Sequence, residues 1–282
     1  DKLREYSSYG ARSVTSPEQS DQSYISETLA ALRKAAKPFA TLSIPQRIAL
    51  AEAMQRGLMQ VAERSVQAGC KAKGVTLGSP AEAEEWATGP WGSVRQLRLI
   101  IESLRGIQQK GNTPIGKVSK TIAGNLAVNV FPNNAIDGVL FKEVSVDVHL
   151  LPYVTEKSLE TGRASFYKKP AHQGQVALVL GAGNIGAIGV MDVLTKMFNE
   201  GRVCVLKINP VNAYLGPFIE EAFKEAIDQH YFAVIYGGAE VGRHLVYHPE
   251  IDEVHLTGSD KTHDQIVWGS PGPEQQERRQ RD

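Results

Sequence analysis

Residues 175–186 read QVALVLGAGNIG, an apolar run that leads directly into a glycine-rich turn. An uncharged run of this kind is typical of a strand buried on both faces of a parallel sheet. After the turn, apolar residues recur every three or four positions from Ile188 to Phe198, which predicts a helix that ends at Gly201. Strand, turn and helix together contain the pattern G-x-G-x-x-G, in which glycines let backbone N–H groups approach an anion.

The alternation of strand and helix continues towards the C-terminus. Three further strands are predicted near residues 203–208, 232–236 and 253–257, with a helix over 219–227. Parallel strands joined by helices form right-handed crossovers, and their ligands bind beyond the carboxyl ends of the strands. The predicted fold class is therefore α/β, with a Rossmann-like parallel sheet and flanking helices.

The residues before this sheet divide into a helical and an extended stretch. Helical spacing of apolar residues over 25–36, 48–61 and 94–104 predicts three amphipathic helices. Pro38 is expected to end the first helix, and Ser43 to cap the second. Between residues 113 and 171, short β-branched runs such as 126–131 and 144–151, separated by a Pro-Asn-Asn and an Asp-Gly turn, predict an extended arm.

These patterns predict five segments. They are a flexible N-terminal arm (1–23), a helical N-terminal layer (24–112), a β-rich connecting and oligomerisation segment (113–171), dinucleotide-binding βαβ units (172–269) and a polar tail or truncation point (270–282).

Composition restricts the class of partner. The 282 residues carry 31 Lys plus Arg and 31 Asp plus Glu, so the formal net charge is zero. Binding to nucleic acid or to an anionic membrane needs a basic excess, so we expect neither, and expect a small-molecule partner. The longest uncharged apolar stretch, 176–191, is shorter than the roughly 20 residues of a membrane span. Two distant cysteines and the lack of a signal-peptide pattern favour the cytoplasm.

The strand that follows the glycine turn ends in Lys207, Ile208, Asn209 and Pro210. The ordinary dinucleotide fingerprint has an acidic residue there, which accepts the ribose hydroxyls. Lys207 can instead hydrogen-bond a ribose or meet a phosphate as a point charge. Two alternatives stay open: the lysine extends its ammonium group into solvent, or the glycine turn holds no ligand.

Two other sets of residues carry less weight. His244 and His248 have metal-ligand spacing, but the intervening residues lack the glutamate of H-E-x-x-H and no third ligand is evident, so we predict no metal site. Cys70 and Cys204 stand in neither a Cys-His nor a C-x-x-C setting, and both are expected to be unreactive.

Four stretches in order resemble the cofactor-binding domain of the aldehyde dehydrogenase superfamily. They read GAGN at 181–184, VCVLKINPVNAYLGP at 203–217, YGGAEVG at 236–242 and HPEIDEVHLTGSDKT at 248–262. The resemblance covers roughly residues 25–267 and is weak before Phe166. It implies an NAD(P)-dependent oxidation of an aldehyde to the acid, with NAD or NADP as cofactor and a homo-oligomeric assembly.

The resemblance also implies roles for individual residues. Asn184 matches the asparagine whose amide stabilises the oxyanion of the thiohemiacetal, and Lys207 matches the lysine that contacts the adenosine ribose. Gly258 and Ser259 match the turn that opens the helix nearest the pyrophosphate. Gly238 and Gly242 lie in the turn on the adenine side.

The chain departs from the family pattern at three residues around Asn184 and at one after Lys207. Gly183, Ile185 and Gly186 replace the usual aromatic residue and prolines, and Pro210 stands where many members carry a ribose-binding glutamate. The general-base glutamate and the nucleophilic cysteine of the family are expected in a stretch that these residues do not include. An acyl-CoA reductase of the same superfamily, or a non-catalytic nucleotide-binding or interaction module, therefore remains an alternative function.

Overall fold

A computed structural model describes residues 17–169 and 171–281. The chain divides into two compact units. The sheet unit joins the residues up to Arg98 to those from Ala171 onwards, and the middle unit runs from Leu99 to Pro170. The flexible arm predicted for residues 1–23 lies outside the described residues as far as residue 16. Over the described ranges, no helix combines the length and the apolarity that a membrane span requires.

Helices form the first part of the chain. Their bounds are α1 Gln22–Ala40, α2 Ile44–Lys73, α3 Glu82–Trp86 and α4 Gly92–Lys110, with a kinked helical turn at Ala87–Trp91. Ser43 and Gln46 cap α2 reciprocally, as predicted for the serine, and Gly74 ends α2 in the left-handed conformation with φ of 68°.

Pro38 does not end the first helix, which corrects the prediction. It lies inside α1, which continues to Ala40. Phe39 and Ala40 are both buried, and their packing offsets the one backbone hydrogen bond that a proline in the last turn cannot donate.

The middle unit contains a small antiparallel sheet. Its elements are β1 Val118–Lys120, β2 Leu126–Phe131, α5 Ala135–Leu140, β3 Val146–His149 and α6 Glu156–Gly162, followed by a 3₁₀ turn at Phe166–Lys168. The strand order is β1-β2-β3. The predicted Asp-Gly turn is wrong, because Asp137 and Gly138 lie in α5. The Asn134 side chain accepts a hydrogen bond from the Asp137 N–H at 2.9 Å and so caps that helix.

The sheet unit contains four parallel strands. Its elements from residue 171 onwards are β4 Val176–Leu180, α7 Gly186–Glu200, β5 Val203–Lys207, a 3₁₀ segment Pro210–Leu215, α8 Gly216–Ala222, α9 Lys224–Asp228, β6 Phe232–Ile235, α10 Ala239–Val246, β7 Glu253–Leu256, α11 Asp260–Trp268 and α12 Pro273–Arg281. The spatial order is β6-β5-β4-β7, and each neighbouring pair is parallel.

The predicted α/β class with a Rossmann-like parallel sheet is confirmed. Each predicted strand lies within two residues of its observed bounds, whereas the helix predicted over 219–227 is broken at Phe223 into α8 and α9. The polar C-terminal run forms α12, which no apolar periodicity indicated. Its terminal residues match helix preferences, since Pro273 is its first residue and Arg278, Arg279 and Arg281 lie in its last turn.

A buried arginine joins α1 to α7. Arg47 is 1% exposed, and its guanidinium donates hydrogen bonds to the carbonyls of Phe39 at 2.8 Å, Ala40 at 3.1 Å and Met197 at 3.4 Å. Because the last carbonyls of a helix lack partners within it, the guanidinium satisfies groups that burial would otherwise leave unpaired.

Close packing of α2 on α8 depends on Gly57. A Cβ built on Gly57 would lie 2.0 Å from the carbonyl oxygen of Ala222. That overlap involves backbone, so a side chain can be accommodated only if the two helices separate.

We therefore predict that Gly57→Ala lowers the free energy of unfolding by about 2 kcal/mol, although alanine has the higher helix propensity. Chemical denaturation of the purified chain measures this change. Gly162→Ala is the matched control, since a Cβ at Gly162, the last residue of α6, meets no atom within 4 Å. Equal stability of both variants would contradict the packing argument.

Candidate functional site

The glycine turn after β4 is fixed to the end of β5. Leu180 lies opposite Lys207 in the parallel register, and one residue later the Gly181 N–H donates to the Lys207 carbonyl at 3.0 Å. The Asn212 amide donates to the carbonyls of Ala182 at 3.0 Å and Gly183 at 3.3 Å. With these carbonyls occupied, the turn has a defined conformation beside the β5 terminus.

Helix α7 begins immediately after this turn. Its N-cap residue, Ile185, provides no side-chain hydrogen bond to the first turn of the helix. The first backbone N–H groups of a helix have no partners within it, so this terminus leaves donors for an anion or for solvent.

A cavity of about 590 Å³ lies at the carboxyl ends of β4, β5 and β7. Its wall combines the glycine turn with residues of α10 and α11. It is lined by Leu180, Gly181, Ala182, Gly183, Lys207, Asn209, Ala239, Gly242, Arg243, Val246, Tyr247, Leu256, Thr257, Gly258, Ser259, Thr262, Gln265, Ile266, Gly269 and Ser270. These lining residues include two cations and no carboxylate, so the cavity is suited to an anionic ligand.

Lys207 is the most unusual residue of the cavity. Its side chain is only 8% exposed, and it makes no hydrogen bond or ion pair with the residues that the structure describes. Burial lowers the pKa of its ammonium group. Lys196 is equally buried at 7%, but its ammonium contacts Glu200 at 2.8 Å and Glu253 at 2.7 Å. Lys207 is thus a buried cation that lacks the carboxylate partners of Lys196.

Four of the six residues predicted to form the site line this cavity. They are Lys207, Gly242, Gly258 and Ser259. The Ser259 hydroxyl caps α11 by accepting a hydrogen bond from the Thr262 N–H at 3.2 Å, so its oxygen is already engaged.

The other two predicted residues lie outside the cavity wall. Gly238 is the N-cap residue of α10, adjacent to the lining residue Ala239. Asn184 is exposed in the turn between β4 and α7, and its side chain makes no hydrogen bond within the described ranges.

Three residues of the site were not identified from the sequence. Arg243 extends from α10 into the cavity wall, Asn209 follows β5, and Asn212 fixes the glycine turn. The polar residue at a strand end was a usable signal for Asn209. No sequence pattern indicated that Arg243 would line the cavity or that Asn212 would bond the glycine turn, since both positions depend on how the segments fold back.

The two cysteines and two of the histidines lie outside the cavity wall. Cys70 and Cys204 are both fully buried, and burial raises the pKa of each thiol, so neither readily becomes a thiolate. The rings of His244 and His248 are 5.4 Å apart, and His248 lies beyond the end of α10 rather than on it. Within the described residues, no group of three metal-ligating side chains is present.

A comparison with protein families gives a match over the region that contains the cavity. The model of the aldehyde dehydrogenase family matches residues 154–271. This part of the chain belongs to the aldehyde dehydrogenase family. No curated protein sequence matches the chain.

Solved structures of aldehyde dehydrogenases share the fold over most of the chain. An NAD-dependent benzaldehyde dehydrogenase from Corynebacterium glutamicum is 15% identical with a TM-score of 0.56, and the match covers 89% of this chain and 43% of that one. An aldehyde dehydrogenase from Bartonella henselae is 15% identical with a TM-score of 0.56, and the match covers 91% of this chain and 45% of that one. An NADP-dependent glyceraldehyde-3-phosphate dehydrogenase from Bacillus halodurans is 16% identical with a TM-score of 0.55, and the match covers 89% of this chain and 43% of that one. The chain thus spans less than half the length of these three proteins.

Because the Lys207 ammonium is buried without a partner in the described chain, we expect it to lower the free energy of unfolding. We expect Lys207→Met to raise the free energy of unfolding by about 1 kcal/mol at neutral pH, and the melting temperature by about 2–4 °C, because an apolar side chain of similar length removes an uncompensated charge. The gain should shrink as the pH rises towards the ordinary pKa of lysine, since the folded form of the natural chain then loses the charge first.

Thermal unfolding followed by circular dichroism between pH 7 and 10 measures both effects. Lys196→Met is the matched control, and should destabilise the chain because it removes a cation from two carboxylates. A Lys207→Met variant that is destabilised as much as Lys196→Met would mean that the Lys207 ammonium has a partner.

Proposed function

We propose that this chain forms the dinucleotide-binding part of an NAD(P)-dependent aldehyde dehydrogenase that oxidises an aldehyde to the acid. The observation that carries the proposal is the buried, unpaired Lys207 in a cavity at the strand ends of an aldehyde dehydrogenase fold. An uncompensated buried cation costs free energy, and an anionic ligand at this position would supply the missing charge.

The composition of the cavity fits a nicotinamide dinucleotide. Lys207 and Arg243 offer donors to phosphate and ribose oxygens, and Val246, Leu256 and Ile266 offer apolar surface to the adenine ring. A bound NAD or NADP would act as the hydride acceptor in the oxidation. Because no carboxylate lines the cavity to repel a 2′-phosphate, we infer that it accepts NADP as well as NAD.

Each of the remaining site residues has a proposed role. Gly258 and Ser259 would bring the start of α11 close to the pyrophosphate, and Gly238 and Gly242 would form the adenine side. The exposed amide of Asn184, which has no partner in the described chain, would donate to the substrate oxyanion.

We infer that these residues bind the cofactor but do not complete the reaction. Thiolate attack on an aldehyde needs a cysteine that can ionise, whereas Cys70 and Cys204 are buried and the pKa of each is raised. We propose that residues 172–269 act as the binding unit and that the nucleophile belongs to another part of the enzyme. The two free thiols fit a reducing compartment, so we propose the cytoplasm as its location.

Calorimetric titration of the chain with NAD and with NADP tests the binding proposal. We expect weak binding of both, and an affinity about tenfold lower in Lys207→Met, because a charge-assisted hydrogen bond is lost. The affinity of the natural chain should fall as the pH rises through the lowered pKa of Lys207, and this dependence should be absent from the variant.

Lys224→Met is the control, since that lysine is 72% exposed and pairs with Asp228 outside the cavity. Unchanged affinity in Lys207→Met would remove Lys207 from the site, and failure of the natural chain to bind either dinucleotide would refute the proposed function. Steady formation of NADH from a panel of aldehydes by the chain alone would refute the inference that its cysteines are unreactive.

The middle unit carries exposed apolar side chains that suit a subunit interface. On α5, Ile136 is 67% exposed, Val139 78% and Leu140 69%, and every residue of β3 is exposed. Exposed apolar side chains and exposed sheet edges are both normally covered by a partner. We propose that this surface joins copies of the chain in a homo-oligomer.

We predict that light scattering over a concentration series shows a mass above 30.8 kDa, and that the double substitution Val139→Glu with Leu140→Glu lowers the mass to that of the monomer. Val211→Glu is the control, because Val211 is 71% exposed in the sheet unit and lies outside the proposed interface. A monomer at every concentration of the natural chain would contradict the proposed interface.

A further inference from the structure

The cavity wall contains a threonine whose hydroxyl donates a hydrogen bond to an aspartate outside the lining residues. Thr257, directly after β7, lines the cavity, and its hydroxyl donates a hydrogen bond to Asp192 Oδ2 at 2.8 Å. Asp192 lies on α7 and is not one of the lining residues, and its side chain is 21% exposed. The contact therefore joins the helix after the glycine turn, α7, to the end of the edge strand β7.

The ring of His255 approaches the same carboxylate. Its Nε2 lies 3.3 Å from Asp192 Oδ2, and that nitrogen is closed off from solvent without forming a hydrogen bond. The Oδ2 atom thus lies close to both the Thr257 hydroxyl and a buried ring nitrogen, and of these two contacts the hydroxyl supplies the hydrogen bond.

The hydrogen bond to Asp192 limits what the Thr257 hydroxyl can do towards a ligand. A threonine hydroxyl has one hydrogen and two lone pairs. When the hydrogen is directed at Asp192, the oxygen can only accept hydrogen bonds on its other sides. A ligand group that faces Thr257 must then donate an N–H or O–H, and a group that only accepts is rejected because two lone pairs would face each other.

We propose that Asp192 is a positioning residue that makes Thr257 an obligate acceptor, so that the cavity selects a ligand with a hydrogen-bond donor at Thr257. This inference rests on the proposed dinucleotide site. In a nicotinamide dinucleotide the available donors are the carboxamide, the ribose hydroxyls and the adenine amino group.

Calorimetric titration with four ligands distinguishes these sources. NAD is compared with nicotinic acid adenine dinucleotide, which replaces the carboxamide by a carboxylate, with nicotinamide hypoxanthine dinucleotide, which lacks the amino group, and with ADP-ribose, which lacks the nicotinamide. We expect Asp192→Ala to weaken NAD binding about tenfold, as for a lost hydrogen bond. It should leave unchanged the affinity of the analogue that lacks the relevant donor. A loss that persists with all three analogues assigns the donor to a ribose.

Conservative variants separate positioning from a structural role. Asp192→Asn retains an oxygen acceptor for the threonine proton, so its affinity for NAD should stay within about threefold of the natural chain, and Thr257→Ser should behave alike. Thr257→Val should lose as much affinity as Asp192→Ala. Because both act through one contact, the double variant Asp192→Ala with Thr257→Val should lose no more than either single variant.

Four outcomes would overturn the inference. Additive losses in the double variant would show that the two residues act independently, and an equal loss in Asp192→Asn and Asp192→Ala would show that charge or packing matters rather than an acceptor. Unaltered NAD affinity in Asp192→Ala would also overturn it, while leaving the proposed function intact. If the natural chain binds none of the four ligands, the proposed function fails and this inference fails with it. Melting temperatures of all variants identify any that do not fold.

Discussion

The site depends on one backbone register, the parallel pairing of β4 with β5 that extends past the last paired residues. Leu180 stands opposite Lys207, and the Gly181 N–H then donates to the Lys207 carbonyl. The same residue therefore holds the glycine turn through its backbone and directs its side chain into the cavity wall. A shift of one residue would send that side chain to the opposite face of the sheet and separate the cation from the turn.

A comparison of Lys196 with Lys207 indicates that a lysine at position 207 lowers the stability of the fold. Lys196 and Lys207 are buried to nearly the same degree, but Lys196 lies between two carboxylates and Lys207 has no partner within the described chain. A fold that needed only a strand terminus at residue 207 would be more stable with an apolar residue. Instability that is concentrated in a cavity wall is typical of functional sites, where stability is sacrificed for binding.

The sequence predicted the parts of the fold that depend on local patterns. The apolar runs that form β4 to β7 are uncharged between their ends, and Gly201 ends α7 in the left-handed conformation that glycine favours, so the sequence indicated these elements. The helix α5 was missed because the Asn134 cap competes with an Asp-Gly turn signal, and only the capping geometry decides between them. For the candidate site, position along a strand was enough to predict that Lys207 lies at the carboxyl edge of the sheet. The contribution of Arg243 and the contacts of Asn212 and Asp192 depend on distances between separate segments, which no local pattern encodes.

The glycines of the turn are a weaker indication of function than their pattern suggests. A Cβ on Gly186 would lie 2.5 Å from the Leu215 side chain, and one on Gly183 would lie 3.1 Å from the Asn209 amide. A Cβ on Gly181 would lie 3.4 Å from the Asn209 backbone nitrogen. Close contact with the segment that follows β5 thus accounts for Gly183 and Gly186, whether or not a ligand binds, whereas the distance at Gly181 is an ordinary van der Waals contact. A cavity that holds an unpaired cation has no such packing explanation, since packing alone would favour an apolar side chain. Lys207 and the carboxylate-free cavity wall therefore favour a dinucleotide, and the glycine turn fixes the backbone beside them.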